Sequence, residues 1–169
     1  EVHTALADRF PGLLTLLAPR HPQRGDEVEQ TLTRKGLTVA RRSRGDAIEG
    51  STDIYLADAT GLLGQLYRVA PLAFVGGSLI PHGGQNMLEA AQLGCAVLHG
   101  PHVDNFRSIT NDLFTGGASR EVADQEGLTR AVAELLGDRV KLETMAAAAE
   151  AAASRNQEVL DKAIQRLQP

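Results

Sequence analysis

A glycine-rich stretch in the middle of the chain has residue types that could bind a phosphorylated ligand. It reads Phe74-Val75-Gly76-Gly77-Ser78-Leu79-Ile80-Pro81-His82-Gly83-Gly84-Gln85-Asn86-Met87-Leu88-Glu89-Ala90-Ala91. The pattern predicts a strand, a loop with paired glycines, and a helix that begins near Gln85. Glycines let the backbone adopt positive φ and approach a ligand, and a helix start offers unpaired N–H groups and a partial positive charge. A phosphate fits such a place.

Two side chains at the predicted helix start could hold a nucleotide. Asn86 lies in the first turn and Glu89 three residues later, so both can face one ligand. A carboxylate accepts hydrogen bonds from the vicinal hydroxyls of a ribose and repels a phosphate. We therefore expect phosphate on the backbone of Gly83 and Gly84, and ribose on Glu89. Spacing alone equally allows tight-turn glycines with Asn86 and Glu89 as helix caps.

The elements around this stretch predict the α/β fold class, with a Rossmann-like doubly wound parallel sheet. Short apolar runs alternate with segments of helical period, which is typical of βαβ units. Strands are predicted over 13–18, 37–40, 53–57, 72–75, 96–98 and 118–122. Helices are predicted over 23–35, 61–69, 85–93, 105–114, 125–136, 140–153 and 157–167. Ligands of such sheets bind at the carboxyl ends of the strands, where the glycines and Arg20 are expected.

Composition narrows the class of protein. The 169 residues, 43% hydrophobic and 22% charged, fit one globular domain, and the net charge of -4 argues against a nucleic-acid partner. We read Cys95 as a small core residue. No apolar run reaches the roughly 18 residues of a membrane helix. The chain opens at Glu1, without Met and within a helical pattern, so we expect a fragment of a longer protein.

Several ordered blocks together resemble one enzyme family. They are Pro19-Arg20-His21, residues 58–61, 74–79 and 83–91, and Gly100-Pro101-His102 with Asn105-Phe106. With these blocks, most of the chain resembles the C-terminal half of 3-deoxy-D-manno-octulosonic acid (Kdo) transferases, glycosyltransferases of the GT-B type. The resemblance implies that residues 1–169 form a single Rossmann-like nucleotide-sugar-binding domain, one half of a GT-B enzyme whose N-terminal acceptor domain is absent.

The resemblance also implies an activity. Kdo would be moved from CMP-Kdo to a lipid A precursor in lipopolysaccharide biosynthesis, at the cytoplasmic face of the bacterial inner membrane. CMP-Kdo would be the donor substrate, with no cofactor and no metal. The catalytic base would be a glutamate of the N-terminal domain, which would also contact the acceptor and the membrane. The domain by itself is therefore expected to be soluble and inactive.

Nucleotide contacts are carried over from the resemblance residue by residue. They fall on Pro19, Arg20, Thr60, Gly61, Leu62, Gly83, Gly84, Asn86, Met87, Leu88 and Glu89, with His21, Gly77, Ser78 and Gln85 as further candidates. The Arg20 guanidinium can pair with a phosphate in a loop that Pro19 and Pro22 hold rigid.

The chain departs from the family pattern at three positions. It has Ala59 and Leu62 where the family has Thr and Glu, so a donor contact at that point would use backbone groups. Gln85 replaces a His, which is a milder change because Gln85 still donates and accepts hydrogen bonds.

Other readings remain open. The domain could belong to another GT-B enzyme, a UDP-sugar transferase or epimerase, or be a catalytically silent nucleotide-binding module. His82, His99 and His102 lack metal-ligand spacing, and we expect them to be polar loop residues. Ser78 lacks the glycine that a nucleophile elbow needs. The basic segment 41–46 is expected to be a solvated turn outside the site.

Overall fold

Parallel strands and the helices between them make up this protein. The computed structural model describes the backbone of residues 1–167 and the side chains of residues 1–155. The strands are β1 (Thr15–Leu17), β2 (Val39–Arg41), β3 (Ile54–Leu56), β4 (Leu72–Phe74), β5 (Ala96–His99) and β6 (Ser119–Glu121). The helices are α1 (Val2–Ala7), α2 (Gly25–Arg34), α3 (Leu63–Val69), α4 (Leu88–Gln92), α5 (Arg107–Thr115), α6 (Gln125–Gly137) and α7 (Arg139–Leu167). Short 3₁₀ turns cover Pro22–Arg24, Arg42–Arg44 and Asp104–Phe106.

The first sheet has the order β1-β3-β2, and both of its strand pairs are parallel. Its central strand, β3, buries Ile54 and Leu56 almost completely. In the chain, α2 follows β1 and precedes β2, as a βαβ crossover requires. The carboxyl ends of β1 and β3 therefore open on the same edge of the sheet, where the loops after them begin.

The second sheet has the order β4-β5-β6 and is also parallel. All four residues of β5 are buried, because this strand is central. Val97 of this strand joins a core that includes Met87 of the loop before α4 and Leu113 of α5. The alanine-rich face of α7 packs into the same core through Ala149, Ala152 and Ala153. Small side chains let this helix lie close to the core.

Three helices pass into the next strand through the same glycine turn. After α4, Gly94 has φ +78°, Gly94 N–H donates to Ala91 O and Cys95 N–H to Ala90 O. This is the Schellman arrangement, which satisfies the last carbonyls of a helix and favours glycine at the left-handed position. Gly36 after α2 and Gly117 after α5 make the equivalent bonds. The predicted helix stop at Gly36 is confirmed.

The predicted α/β class with parallel strands is confirmed, and each predicted strand overlaps an observed one. Three helix predictions were wrong in their bounds. The helix expected from Gln85 begins only at Leu88, and the two helices expected over 140–153 and 157–167 are one continuous helix, α7.

The described contacts divide the chain within α3 into a unit of Glu1–Leu66 and a second unit that begins at Tyr67. The single domain over residues 1–169 stays a prediction. Within the second unit, Cys95 is the expected core residue: its thiol is buried and donates to the carbonyls of Tyr67 and Ala70, and burial raises its pKa to about 11.

Candidate functional site

A loop of residues 75–87, here the glycine loop, follows β4 at the carboxyl edge of the second sheet. Ser78 fixes its first half. The Ser78 hydroxyl is fully buried, donates to Val75 O at 2.5 Å and accepts from Gly100 N at 2.8 Å. Gly84 N–H donates to Gly77 O at 3.1 Å and closes the loop on itself. These bonds hold the loop in one shape.

A second loop, residues 100–106, follows β5 and lies against the glycine loop. Its His102 N–H donates to Ser78 O at 2.9 Å, and its Asn105 N–H donates to Gly83 O at 3.3 Å. We call it the β5 loop. Because β4 and β5 are neighbouring parallel strands, both loops leave the same edge of the sheet. The β5 loop thus supports the predicted phosphate-binding segment.

Gly83 and Gly84 both have positive φ, +83° and +70°, as predicted. The space that a Cβ would need is filled by protein. A Cβ on Gly83 would lie 2.3 Å from Asn105 Nδ2, and one on Gly84 would lie 3.2 Å from His102 O. The contact of these glycines with a ligand stays a prediction. They leave room for Asn105 and His102 of the β5 loop, so a ligand at Gly83 would lie next to that loop and not in the Cβ space.

The start of α4 differs from the sequence prediction. Asn86 precedes the helix, and its side-chain oxygen accepts a hydrogen bond from Leu88 N at 2.9 Å. Asn86 thus makes a capping-type contact, one of the two alternatives that the spacing left open. Glu89 lies in the first turn, is exposed, and makes no ion pair with a described residue. Its carboxylate is available to ligand hydroxyls.

Two predicted contact residues have buried side chains. Met87 is fully buried in the core, where its sulfur lies 3.6 Å from the Thr110 hydroxyl. Ser78 is buried as well, with its hydroxyl bonded on both sides. A nucleotide contact at either position would have to use the backbone. Leu88, Gln85 and Gly77 are partly exposed at the same end of the sheet.

The other predicted contacts lie in the first unit. Pro19, Arg20 and His21 directly follow β1, and Thr60, Gly61 and Leu62 follow β3. Arg20, His21, Thr60 and Gly61 are exposed. Because β1 and β3 are adjacent and parallel, the structure brings these two segments to one edge of the first sheet. Gly61 has φ +77°, and nothing lies within 4 Å of its Cβ position, so that side is open.

A buried carboxylate, Asp58, supports this edge. Its side chain is 1% exposed and accepts bonds from Ser43 N at 2.9 Å, from the Ser43 hydroxyl at 2.7 Å and from the Arg41 guanidinium. Burial acts to raise the pKa of Asp58, but the bonds from Ser43 and Arg41 outweigh it and the net pKa is lowered. The carboxylate is therefore held ionised.

The expectation of a solvated turn over 41–46 was wrong for Arg41. Its side chain is 12% exposed and pairs with Asp26, Glu29 and Asp58. Gly25, at the start of α2, makes room for this cluster, because a Cβ there would lie 2.5 Å from the Arg41 guanidinium. Arg42 and Arg44 are exposed, as expected. Arg41 is thus a structural residue of the sheet edge.

The histidines occupy different settings. His82 is exposed, whereas His99 is buried at the end of β5, 2.8 Å from Gly100 O and 3.4 Å from the Ser119 hydroxyl. The expectation of a polar loop residue was therefore wrong for His99. Among the described residues, no three His, Cys, Asp or Glu side chains are grouped as metal ligands would be. Nor does any described helix have the length and apolar character to cross a membrane.

Several known proteins are similar to this chain. A relative in Bordetella pertussis named 3-deoxy-D-manno-octulosonic acid transferase is 39% identical over 142 residues, 83% of this chain and 33% of the relative. One of the same name in Haemophilus influenzae is 34% identical over 99% of this chain and 39% of the relative. A crystal structure described as the C-terminal CMP-Kdo binding domain of WaaA from Acinetobacter baumannii matches with a TM-score of 0.84 and 32% identity, covering 90% of this chain and 81% of that one. This chain belongs to the Kdo transferase family. No family model matches it.

This Kdo transferase chain spans 33% and 39% of the length of those two relatives. Sequence reasoning for this member of the family missed two residues at the sheet edges. Asp58 was read only as part of a loop, although an acidic residue directly after an apolar strand is a signal for a strand-end carboxylate. Asn105 was considered only as part of the resemblance, yet its side chain fills the space that a Cβ on Gly83 would need.

Proposed function

We propose that this chain binds CMP-Kdo and serves as the donor-binding part of a Kdo transferase. The observation that carries the proposal is the match to the CMP-Kdo binding domain of WaaA, at a TM-score of 0.84 and 32% identity over 81% of that domain. Backbone similarity of this extent, together with sequence identity, supports a shared ligand as well as a shared fold.

The donor contacts that we propose are those of the resemblance, adjusted to the side chains observed. Arg20 pairs with the donor phosphate, because a guanidinium binds phosphate oxygens bidentately. Glu89 accepts hydrogen bonds from the ribose hydroxyls through its exposed carboxylate. Gly83 is partly exposed and offers its backbone beside the β5 loop, whereas Gly84 is buried and its N–H is already bonded to Gly77 O. Thr60, Gly61 and Leu62 contribute backbone groups, since Leu62 has no polar side chain.

For the whole protein we propose Kdo transfer from CMP-Kdo to a lipid A precursor, at the cytoplasmic face of the inner membrane. The reaction needs a base for the acceptor hydroxyl and positive or hydrogen-bonding groups for the departing CMP phosphate. The residues described here supply the second requirement. We assign the base, the acceptor contacts and the membrane contacts to the part of the longer relatives that this chain does not match, with no cofactor or metal.

The two alternatives from the sequence are not favoured by the comparisons. The relatives are named Kdo transferases, which supports neither a UDP-sugar enzyme nor a silent module. A UDP-sugar enzyme would bind UMP at least as well as CMP. A nucleotide comparison therefore belongs in the first experiment.

The proposal is tested by calorimetric titration of the chain with CMP and, in parallel, UMP. We expect CMP to bind more tightly than UMP, and Arg20→Ala and Glu89→Ala each to weaken CMP binding roughly tenfold, the effect of one hydrogen bond that involves a charged group. Arg34→Ala and Glu49→Ala are matched controls, because both are exposed charged residues outside the predicted contacts. Both controls should bind CMP as the unmodified chain does.

Three results would contradict the proposal. Equal losses in both controls would show that the effect is not specific to the proposed contacts, because the two controls change the net charge in opposite directions. Preference for UMP would indicate a different donor. If the folded chain binds neither CMP nor CMP-Kdo, these residues by themselves do not bind the donor, and the proposal is wrong.

A further inference from the structure

Asn105 occupies a distinctive position in the β5 loop. Its backbone N–H donates to Gly83 O, and its side chain fills the space that a Cβ on Gly83 would need. Of the atoms near that Cβ position, Asn105 Nδ2 is the nearest at 2.3 Å, ahead of Asn105 Oδ1 at 3.0 Å. The amide group thus lies directly against the segment to which the proposed function assigns the donor.

The Asn105 amide is available to a ligand. The residue is exposed, and its side chain has no hydrogen-bond partner among the residues that the structure describes. An amide nitrogen carries two donors and no charge, so it can bind an anionic oxygen. The neighbouring carboxylate of Asp104 is paired with Arg107, and this hydrogen bond and charge lower the pKa of Asp104. The positive charge of Arg107 partly offsets the repulsion between the Asp104 carboxylate and an anionic ligand.

The loop that presents Asn105 is held in place by hydrogen bonds to Ser78. The buried Ser78 hydroxyl accepts from Gly100 N, and Ser78 O accepts from His102 N. Gly100 itself could not carry a side chain, since a Cβ there would lie 2.2 Å from Ser78 O. A side chain on a loop fixed at several points is positioned before a ligand arrives, which lowers the ordering entropy lost on binding.

We propose that Asn105 is a further donor-binding residue, whose amide donates an N–H to a phosphate oxygen of the nucleotide at Gly83 and Gly84. This inference rests on the proposed function, and it adds a residue from the β5 loop to the contacts proposed for the glycine loop. Because Asn105 also contacts Gly83 through its backbone, a change of its side chain leaves the backbone bond between the two loops in place.

The test is a CMP titration of three variants of the chain. Asn105→Ala removes the amide and should weaken CMP binding about tenfold. Asn105→Asp keeps the size but places a carboxylate beside the phosphate, so its loss should be larger than that of Asn105→Ala. Asn111→Ala, an exposed asparagine on α5, is the matched control and should bind CMP normally. In the unmodified chain, the NMR signal of the Asn105 side-chain amide should shift with CMP but not with cytidine.

Each outcome bears on the proposal. If Asn105→Asp binds CMP as tightly as the unmodified chain, the residue acts only by packing, and the inference is wrong while the proposed function stands. The same holds if Asn105→Ala binds normally or if the amide signal does not respond to CMP. If the unmodified chain binds neither CMP nor CMP-Kdo, the proposed function fails first, and the inference is rejected with it.

Discussion

The side chain of Ser78, one of the residues predicted to contact the nucleotide, makes its hydrogen bonds within the fold. Its hydroxyl donates to Val75 O and accepts from Gly100 N, and it is fully buried. The hydroxyl therefore joins the glycine loop to the β5 loop. A buried group that loses its partner keeps its full desolvation cost, which is larger than the net gain of a typical bond.

We expect Ser78→Ala to lower the free energy of unfolding by about 1 to 3 kcal/mol, because Gly100 N–H is left without an acceptor in a buried place. Urea denaturation followed by circular dichroism measures this. Ser108→Ala, at an exposed position of α5, should change stability by less than about 0.5 kcal/mol. Unchanged stability in Ser78→Ala would mean that water or a relaxed backbone satisfies Gly100.

At the scale of elements, the ends of the strands are fixed by polar groups in both sheets. In the first sheet Asp58 follows β3 and accepts hydrogen bonds from Arg41 and Ser43. Arg41 is the last residue of β2, and Ser43 lies just beyond it. In the second sheet Ser78 has the corresponding place between the loops that follow β4 and β5. The side chains of both anchors adjoin segments that we assign to the donor, so they position those segments.

Asp58→Asn should destabilise the chain by about 1.5 to 3 kcal/mol at neutral pH, since it removes charged hydrogen bonds from a buried cluster. The pH dependence follows from the lowered pKa of Asp58 in the folded state. An unfolded Asp titrates near pH 3.9. The contribution of Asp58 is therefore complete above about pH 5 and is lost as the pH falls through the folded pKa.

Urea denaturation at pH 7 and at pH 3 to 4 tests both statements. The difference in stability between the unmodified chain and Asp58→Asn should shrink on acidification. Asp8→Asn, at an exposed aspartate after α1, is the control and should match the unmodified chain at pH 7. A difference that stays constant with pH would show that the Asp58 charge does not stabilise the fold.

At the scale of the whole molecule, the sequence predicts one domain over residues 1–169, while the described contacts form two units divided within α3. If the single domain is correct, heat or urea should unfold the chain in one cooperative transition. Asp58→Asn in the first unit and Ser78→Ala in the second should then shift the same transition. Calorimetric and circular-dichroism curves measure it. Two transitions, each sensitive to one variant, would contradict the single-domain prediction.

The sequence by itself determined the class of fold and most of its elements. Apolar runs such as 96–98 and the helix stop at Gly36 depend on local side-chain pattern and backbone preference, which neighbouring residues decide. It also pointed to the loops at the strand ends, because parallel α/β sheets bind ligands there. The resemblance to Kdo transferases, drawn from short ordered blocks, was confirmed by the relatives.

Only the tertiary structure decided which polar groups the fold uses for itself. Asp58 and Arg41 are 17 residues apart in the chain and yet form one buried cluster. Gly83 and Asn105 come together because β4 and β5 pair and their loops leave one edge. Neither contact has a local signal, since each depends on strand order and on loops distant in sequence. The partners of Ser78, Arg41 and Gly83 could therefore be identified only once the strands were paired.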